Sequence, residues 1–233
     1  MPLLDRILTY ITTTRAWVIF ARHWLGHLTF RIFGYTKFPM EQYYIIEKAI
    51  ESAPDGIFAF VSADTSCLAY KANHLLTKCQ WSHAGLIRKG DDGHLYAWHM
   101  KGDGLNCWHL LNVLKQCDRF AAGRLRIEGD NLLAANARLD AIIGDPLVPY
   151  DYRLEIPQDV IDWLATGKGI EGDKERLQSL KLYCSELCYV VGAGLANPDM
   201  NPTVVHSRRV YEPDSLFSDM EVLFFLDKSP QRK

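Results

Sequence analysis

Apolar and polar positions change their rhythm twice along these 233 residues. From Trp17 to Ile32 the rhythm is helical: Trp17, Val18, Phe20, Ala21, Trp24, Leu25, Leu28 and Ile32 share one arc, while Arg15, Arg22, His23, His27 and Thr29 lie opposite. From Ile57 onward short runs dominate. Ile57 to Ser62 reads as a buried strand and Thr65 to Lys78 as a helix capped by Asp64 or Thr65. His83 to Arg88 and Leu95 to Met100 read as a hairpin joined by the Gly/Asp-rich loop Lys89 to Gly93. Further on, Gly123 to Glu128 fits a strand, Asn131 to Ile143 a helix closed by Gly144, Pro146 and Pro149, and Gln158 to Thr166 another helix before the glycine-rich loop at 167–172. Ser185 to Gly192 reads as a helix and Glu221 to Asp227 as a final strand. Strands and helices mix without a regular βαβ repeat, so the expected class is α+β.

Two parts are expected: a basic, amphipathic helical segment over residues 1–50 and a globular domain over residues 51–233. Charge separates them. Overall the chain carries a formal −2, yet the stretch through Lys37 is +4 and the remainder −6. No general attraction to a nucleic acid backbone follows from that balance, and no nucleic acid partner is expected. The longest apolar run near the start, Ala16 to Ala21, is six residues and ends at Arg22. Neither a bilayer-spanning helix nor a cleaved secretory signal is expected, so the location read from the sequence is cytoplasmic or peripheral to a membrane. An amphipathic helix of this kind either lies in a membrane interface, with Trp17, Phe20, Trp24 and Leu28 as its contact residues, or docks on the protein's own core or a partner.

Six cysteines are too few for a disulfide scaffold, and no CxxC pair points to zinc or redox chemistry. One of them stands differently. In Tyr183-Cys184-Ser185-Glu186-Leu187 a cysteine occupies the expected first turn of a helix, where unpaired backbone N–H groups can stabilise a thiolate or a developing oxyanion. A buried structural thiol is the plain alternative. In Trp81-Ser82-His83-Ala84-Gly85-Leu86-Ile87 a histidine opens a strand, followed by a glycine that lets another backbone or a substrate approach closely. Such a histidine can serve as general base and acid toward a thiol, or can be simply a hydrogen-bonded strand end. His99 lies sixteen residues on, an even offset compatible with the same sheet face, and could orient His83. His94, at an odd offset beside the Gly93 turn, is the second choice. Cys67, Cys79, Cys107, Cys117 and Cys188 are read as structural or incidental, and a metal site built from His83, His94, His99 and Cys184 matches no ligand motif.

In this order (strand and helix, WSHAGLI, hairpin, RLRI with an alanine-rich helix, Pro149-Tyr150-Asp151-Tyr152, YCSEL) the chain resembles the circularly permuted branch of the NlpC/P60 papain-like superfamily. In particular it is similar to the YiiX/YebB-type cysteine hydrolases over about residues 54 to 227, with the lecithin retinol acyltransferase group as a more distant relative. The resemblance implies a circularly permuted papain-like fold with an antiparallel sheet, Cys184 as nucleophile, His83 as base, and His99 as the third catalytic residue. It also implies acyl transfer on a peptide or lipid acyl substrate, through a Cys184 thiolate paired with a His83 imidazolium, without metal or organic cofactor. Tyr183 and Ser185 are the candidates for the oxyanion site or pocket, Tyr183 with packing as the other reading. An interaction module that keeps the fold and has lost catalysis is the alternative function.

Overall fold

The computed structural model describes residues 40–65, 70–71, 74–75, 78–144, 148–151, 156, 160–161, 182–193, 203–205 and 208–228. The helical reading at Trp17 to Ile32, the loop reading at 167–172, and most of the helical readings at Thr65 to Lys78 and Gln158 to Thr166 fall outside them; 70–71, 74–75 and 160–161 are helical.

The architecture is α+β, built on a six-stranded antiparallel sheet in the order β4-β3-β2-β1-β5-β8. Its strands are β1 (Phe58–Ala63), β2 (His83–Lys89), β3 (Leu95–Lys101), β4 (Gly104–His109), β5 (Arg119–Leu125) and β8 (Met220–Asp227). Central β1 explains the layering. Its apolar run is buried on both faces, with Phe60 on one side and Ala59, Val61 and Ala63 on the other. The Phe60 side is covered by α1 (Met40–Ser52), through Tyr43, Ile46 and Ile50, and by α2 (Leu110–Leu114), through Leu110, Val113 and Leu114. The opposite side is covered by α3 (Gly129–Ile143), α4 (Cys184–Cys188), a π-helix (Tyr189–Ala193) and α5 (Pro213–Asp219). A separate small hairpin joins β6 (Thr203–Val205) to β7 (Arg208–Val210).

Several expectations are shifted by tertiary pairing. The strand expected at Gly123 to Glu128 runs instead from Arg119 to Leu125. The small run Ala121-Ala122-Gly123 has weak strand propensity, yet it pairs with Phe60, Val61 and Ala59 of β1, which fixes the register that RLRI alone suggested too late. The helix expected at Ser185 to Gly192 starts at Cys184 and widens into the π-helix at Tyr189. Tyr189, Val190 and Val191 are all buried there, and Arg138 of α3 donates to the Val190 carbonyl. Helix α1 runs across position 50, the expected boundary, and packs on the sheet. β4, α2, α5 and the β6–β7 hairpin are additions to the expected elements.

Two features aim the site. Asp214 at the start of α5 accepts the N–H groups of Gln80 and Trp81 at 2.9 Å each, holding the chain as it enters β2. Between β3 and β4 the turn is two residues long, and Gly104 takes φ +112°, a conformation that favours glycine. That tight turn places β4 beside β3, so that Trp108 and His99 share a face.

Candidate active site

His83 opens β2 and His99 lies near the end of β3. Register pairs Leu86 with Trp98, so continuing it puts His99 opposite Gly85 and diagonal to His83 on the same face. Glycine at position 85 is what allows this. A Cβ there would stand 2.5 Å from the Phe60 ring, 2.7 Å from the Trp98 carbonyl oxygen and 2.8 Å from His99 Cβ. The two imidazoles therefore meet, with His83 Nε2 2.7 Å from His99 Nδ1. Phe60 supports both rings, its centroid 6.1 Å from each. His94 is elsewhere, at the far end of the hairpin, with its ring beside His109.

Cys184 is the first residue of α4, half-buried and packed against the core layer that contains Ala84. The backbone N–H groups of Ala84, Ser185 and Cys184 face the thiol and favour its thiolate. Because Ala84 follows His83 in the chain, the sulfur lies against the residue next to the histidine. Thus the structure joins His83 directly to His99 on the Phe60 face of the sheet, and sets Cys184 against Ala84, whose side chain lies on the opposite face; among the described residues no hydrogen bond joins His83 to Cys184.

Burial dominates the electrostatics. It raises the Cys184 thiol above its usual value despite those N–H groups. It lowers His83 to about 3 and His99 to about 2, and the Lys101 ammonium pushes both in the same direction. Desolvation thus disfavours charge on the thiol and on both imidazoles, against the expected thiolate–imidazolium pair.

The start of α4 is held by a buried polar network. Tyr183 N–H donates to Glu186 Oε2 at 3.3 Å, and Tyr211 N–H donates to the Tyr183 hydroxyl at 2.8 Å. The Ser185 hydroxyl donates to the Tyr211 carbonyl. Tyr183 is buried, with its hydroxyl engaged in this network. The Ser185 side chain is likewise committed, leaving its backbone N–H as the group available to an oxyanion.

Two neighbours escaped the sequence reading. Lys101 lies two residues beyond His99 on the same face, with its Nζ 3.2 Å from the ring centroid of Trp108. Trp108 in turn meets the His99 ring edge-on at 5.2 Å. A lysine closing a strand reads as a solvated end; only the period-2 match with His99 could have drawn notice. A separate cleft of about 410 Å³ is lined by Trp81, Arg119, Phe217 and Phe225 among others, and by none of the expected site residues. Among the described residues no group of three or more His, Cys, Asp or Glu side chains is placed to hold a metal ion, and no helix is long and apolar enough to cross a membrane. Free thiols at Cys79, Cys107, Cys117 and Cys188 accompany Cys184; Cys67 and the contact residues Trp17, Phe20, Trp24 and Leu28 lie outside the described residues.

No family model matches the chain. No curated protein matches it either. Among solved structures it is similar to the metalloprotein YiiX from Escherichia coli O157:H7, at 12% identity and a TM-score of 0.45, over 76% of this chain and 89% of that one.

Proposed function

We propose that the protein is a cysteine acyl hydrolase or acyltransferase of permuted papain-like design, with Cys184 as nucleophile, His83 as general base and acid, and His99 as the residue that positions His83. The observation that carries this reading is the division of His83's two nitrogens. Nε2 is bonded to His99, so Nδ1 remains for proton transfer, and the next residue presents its N–H to the Cys184 thiol. The histidine-bearing strand precedes the cysteine-bearing helix in the chain, as a permuted arrangement requires.

The chemistry follows from two neutral groups. As Cys184 sulfur bonds to the substrate carbonyl carbon, its proton passes to His83 Nδ1, and backbone N–H groups around the thiol hold the oxyanion. Collapse breaks the bond to the leaving amine, alcohol or thiol, which takes the proton from His83. Water, or another hydroxyl or amine, then attacks the thioester, gives its proton to His83 Nδ1, and releases the acyl group as acid or as new ester or amide, restoring the Cys184 thiol. No step calls for a metal or organic cofactor. For Nδ1 to accept, His83 must carry its own proton on Nε2 and donate it to His99 Nδ1. His99 then keeps its proton on Nε2, which is buried and without a hydrogen-bond partner.

The amphipathic basic segment near the start favours an acyl substrate at a membrane surface. Turnover of phospholipids, acyl thioesters and peptidoglycan peptides by the protein and its Cys184→Ala variant tests the reading. Cys184-dependent cleavage of one class supports it, and activity that survives the substitution refutes it.

A further inference from the structure

We propose that Lys101, seated over Trp108 on the face that carries His83 and His99, is a specificity-determining residue that receives an oxyanion, phosphate or carboxylate, borne by the acyl substrate. The inference rests on the reading of this face as the active site and names what the substrate must carry.

Strand alternation puts His99 and Lys101 on one face of β3, and Trp108 of the neighbouring β4 joins them. The ammonium is half-buried and costs desolvation, which lowers its pKa to about 8. Among the described residues it forms no ion pair. Asp103, the acid that favours its charge, has its carboxylate engaged by Asn106 Nδ2 at 2.8 Å. Trp108 offsets part of the cost through its ring face, yet a ring supplies no counter-charge. On the same face, His99 is almost fully buried and its Nε2 has no hydrogen-bond partner. A cation without a carboxylate and an unsatisfied imidazole nitrogen thus adjoin the residues proposed to move protons, an arrangement that an incoming oxyanion would complete.

The arrangement also couples binding to chemistry. Lys101 acts on both imidazoles and His83 acts on His99, and the positive charge of Lys101 weakens both as bases. A bound oxyanion would cancel that field, so His83 would become a better proton acceptor when the correct substrate arrives. Lysine at this position would then reject neutral substrates in two ways, by affinity and by leaving the base weak.

The test uses the full chain with inorganic phosphate as probe, at constant ionic strength in chloride, following the imidazole resonances of His83 and His99. A saturable shift that persists in Lys101→Arg and vanishes in a folded Lys101→Met variant is the expected result. Absence of a saturable shift, or its survival in Lys101→Met, overturns the proposal; should Lys101→Met not fold, Lys101→Gln replaces it. Acetate in a parallel titration distinguishes a carboxylate-bearing substrate from a phosphate-bearing one by which anion binds more tightly. A second measurement is iodoacetamide alkylation of Cys184 in the wild type, which tests the nucleophile reading apart from the anion site. If iodoacetamide fails to label Cys184 at all, the nucleophile reading falls, while the phosphate titration still decides the anion site.

Discussion

His83 Nε2 and His99 Nδ1 lie 2.7 Å apart, and this bond leaves one free nitrogen on each ring: Nδ1 of His83 and the buried Nε2 of His99. If His99 acts by fixing the tautomer and aim of His83, removing it should lower kcat and leave KM nearly unchanged. We expect a loss of roughly 10- to 100-fold for His99→Ala, below the roughly 10²- to 10⁴-fold that a general base contributes. His99→Gln, which can still accept from His83 Nε2, should recover part of it. In the wild type, ¹⁵N shifts should find the protons on Nε2 of both rings. A proton on Nδ1 of resting His83 would contradict the proposed direction of transfer.

Gly85 should not tolerate a side chain. Alanine there places Cβ against Phe60, the Trp98 carbonyl and His99 Cβ, two of them parts of the site. We expect Gly85→Ala to cost about 1–3 kcal/mol in stability, as overpacked cores do, and to lower activity by more than that loss of folded protein explains. Urea melts paired with active-site titration separate the two effects.

Glu186 makes a prediction about pH. Burial raises its carboxyl to about 9, well above the ordinary carboxylate range, with Asp151 acting in the same direction. The folded protein thus holds a proton that the unfolded chain releases near 4.5, so this residue lowers stability progressively as pH rises from 4.5 toward 9. The buried histidines act oppositely: the unfolded chain binds their protons below about 6.5 while the folded state resists until about 3 and 2, so stability falls on acidification through that window. Urea midpoints should therefore fall on both sides of a maximum near neutrality. Glu186→Gln, which keeps an acceptor for the Tyr183 N–H, should flatten the alkaline side, steepen the rise between about 4.5 and the maximum, and leave the slope below 4.5 unchanged. Equal alkaline slopes in both proteins would refute the assignment.

The His83–His99 relation was legible because a strand's period of two and a Gly/Asp-rich loop together constrain which residues share a face. The glycine at position 85 was legible as a place of close approach, though not what approaches. Lys101 and Trp108 were not legible, since β4 reads GLNCWH without apolar alternation and its existence depends on pairing with β3. Tyr43, Ile46 and Ile50 carry a helical period that the reading passed over, and the packing of α1 on the sheet makes it part of the core. The electrostatics of the site were not legible, because a motif records residue types, whereas burial shifts the pKa.

For residues 1–35 the prediction concerns membranes. Deleting them should reduce binding to anionic liposomes while preserving the circular dichroism and urea midpoint of the remainder. Unfolding or loss of solubility on deletion would mean that the apolar arc of Trp17, Phe20, Trp24 and Leu28 packs on the protein itself.

The central claim is that Cys184 is a nucleophile activated by His83. Iodoacetamide labelling, read residue by residue, tests it most directly, with exposed Cys107 as an internal comparison. The account predicts that Cys184 reacts faster than Cys107 although it is more buried, and that His83→Ala slows labelling at Cys184 alone. Labelling confined to Cys107, or a Cys184 rate indifferent to His83, would contradict it and favour an interaction module that keeps the fold without the chemistry.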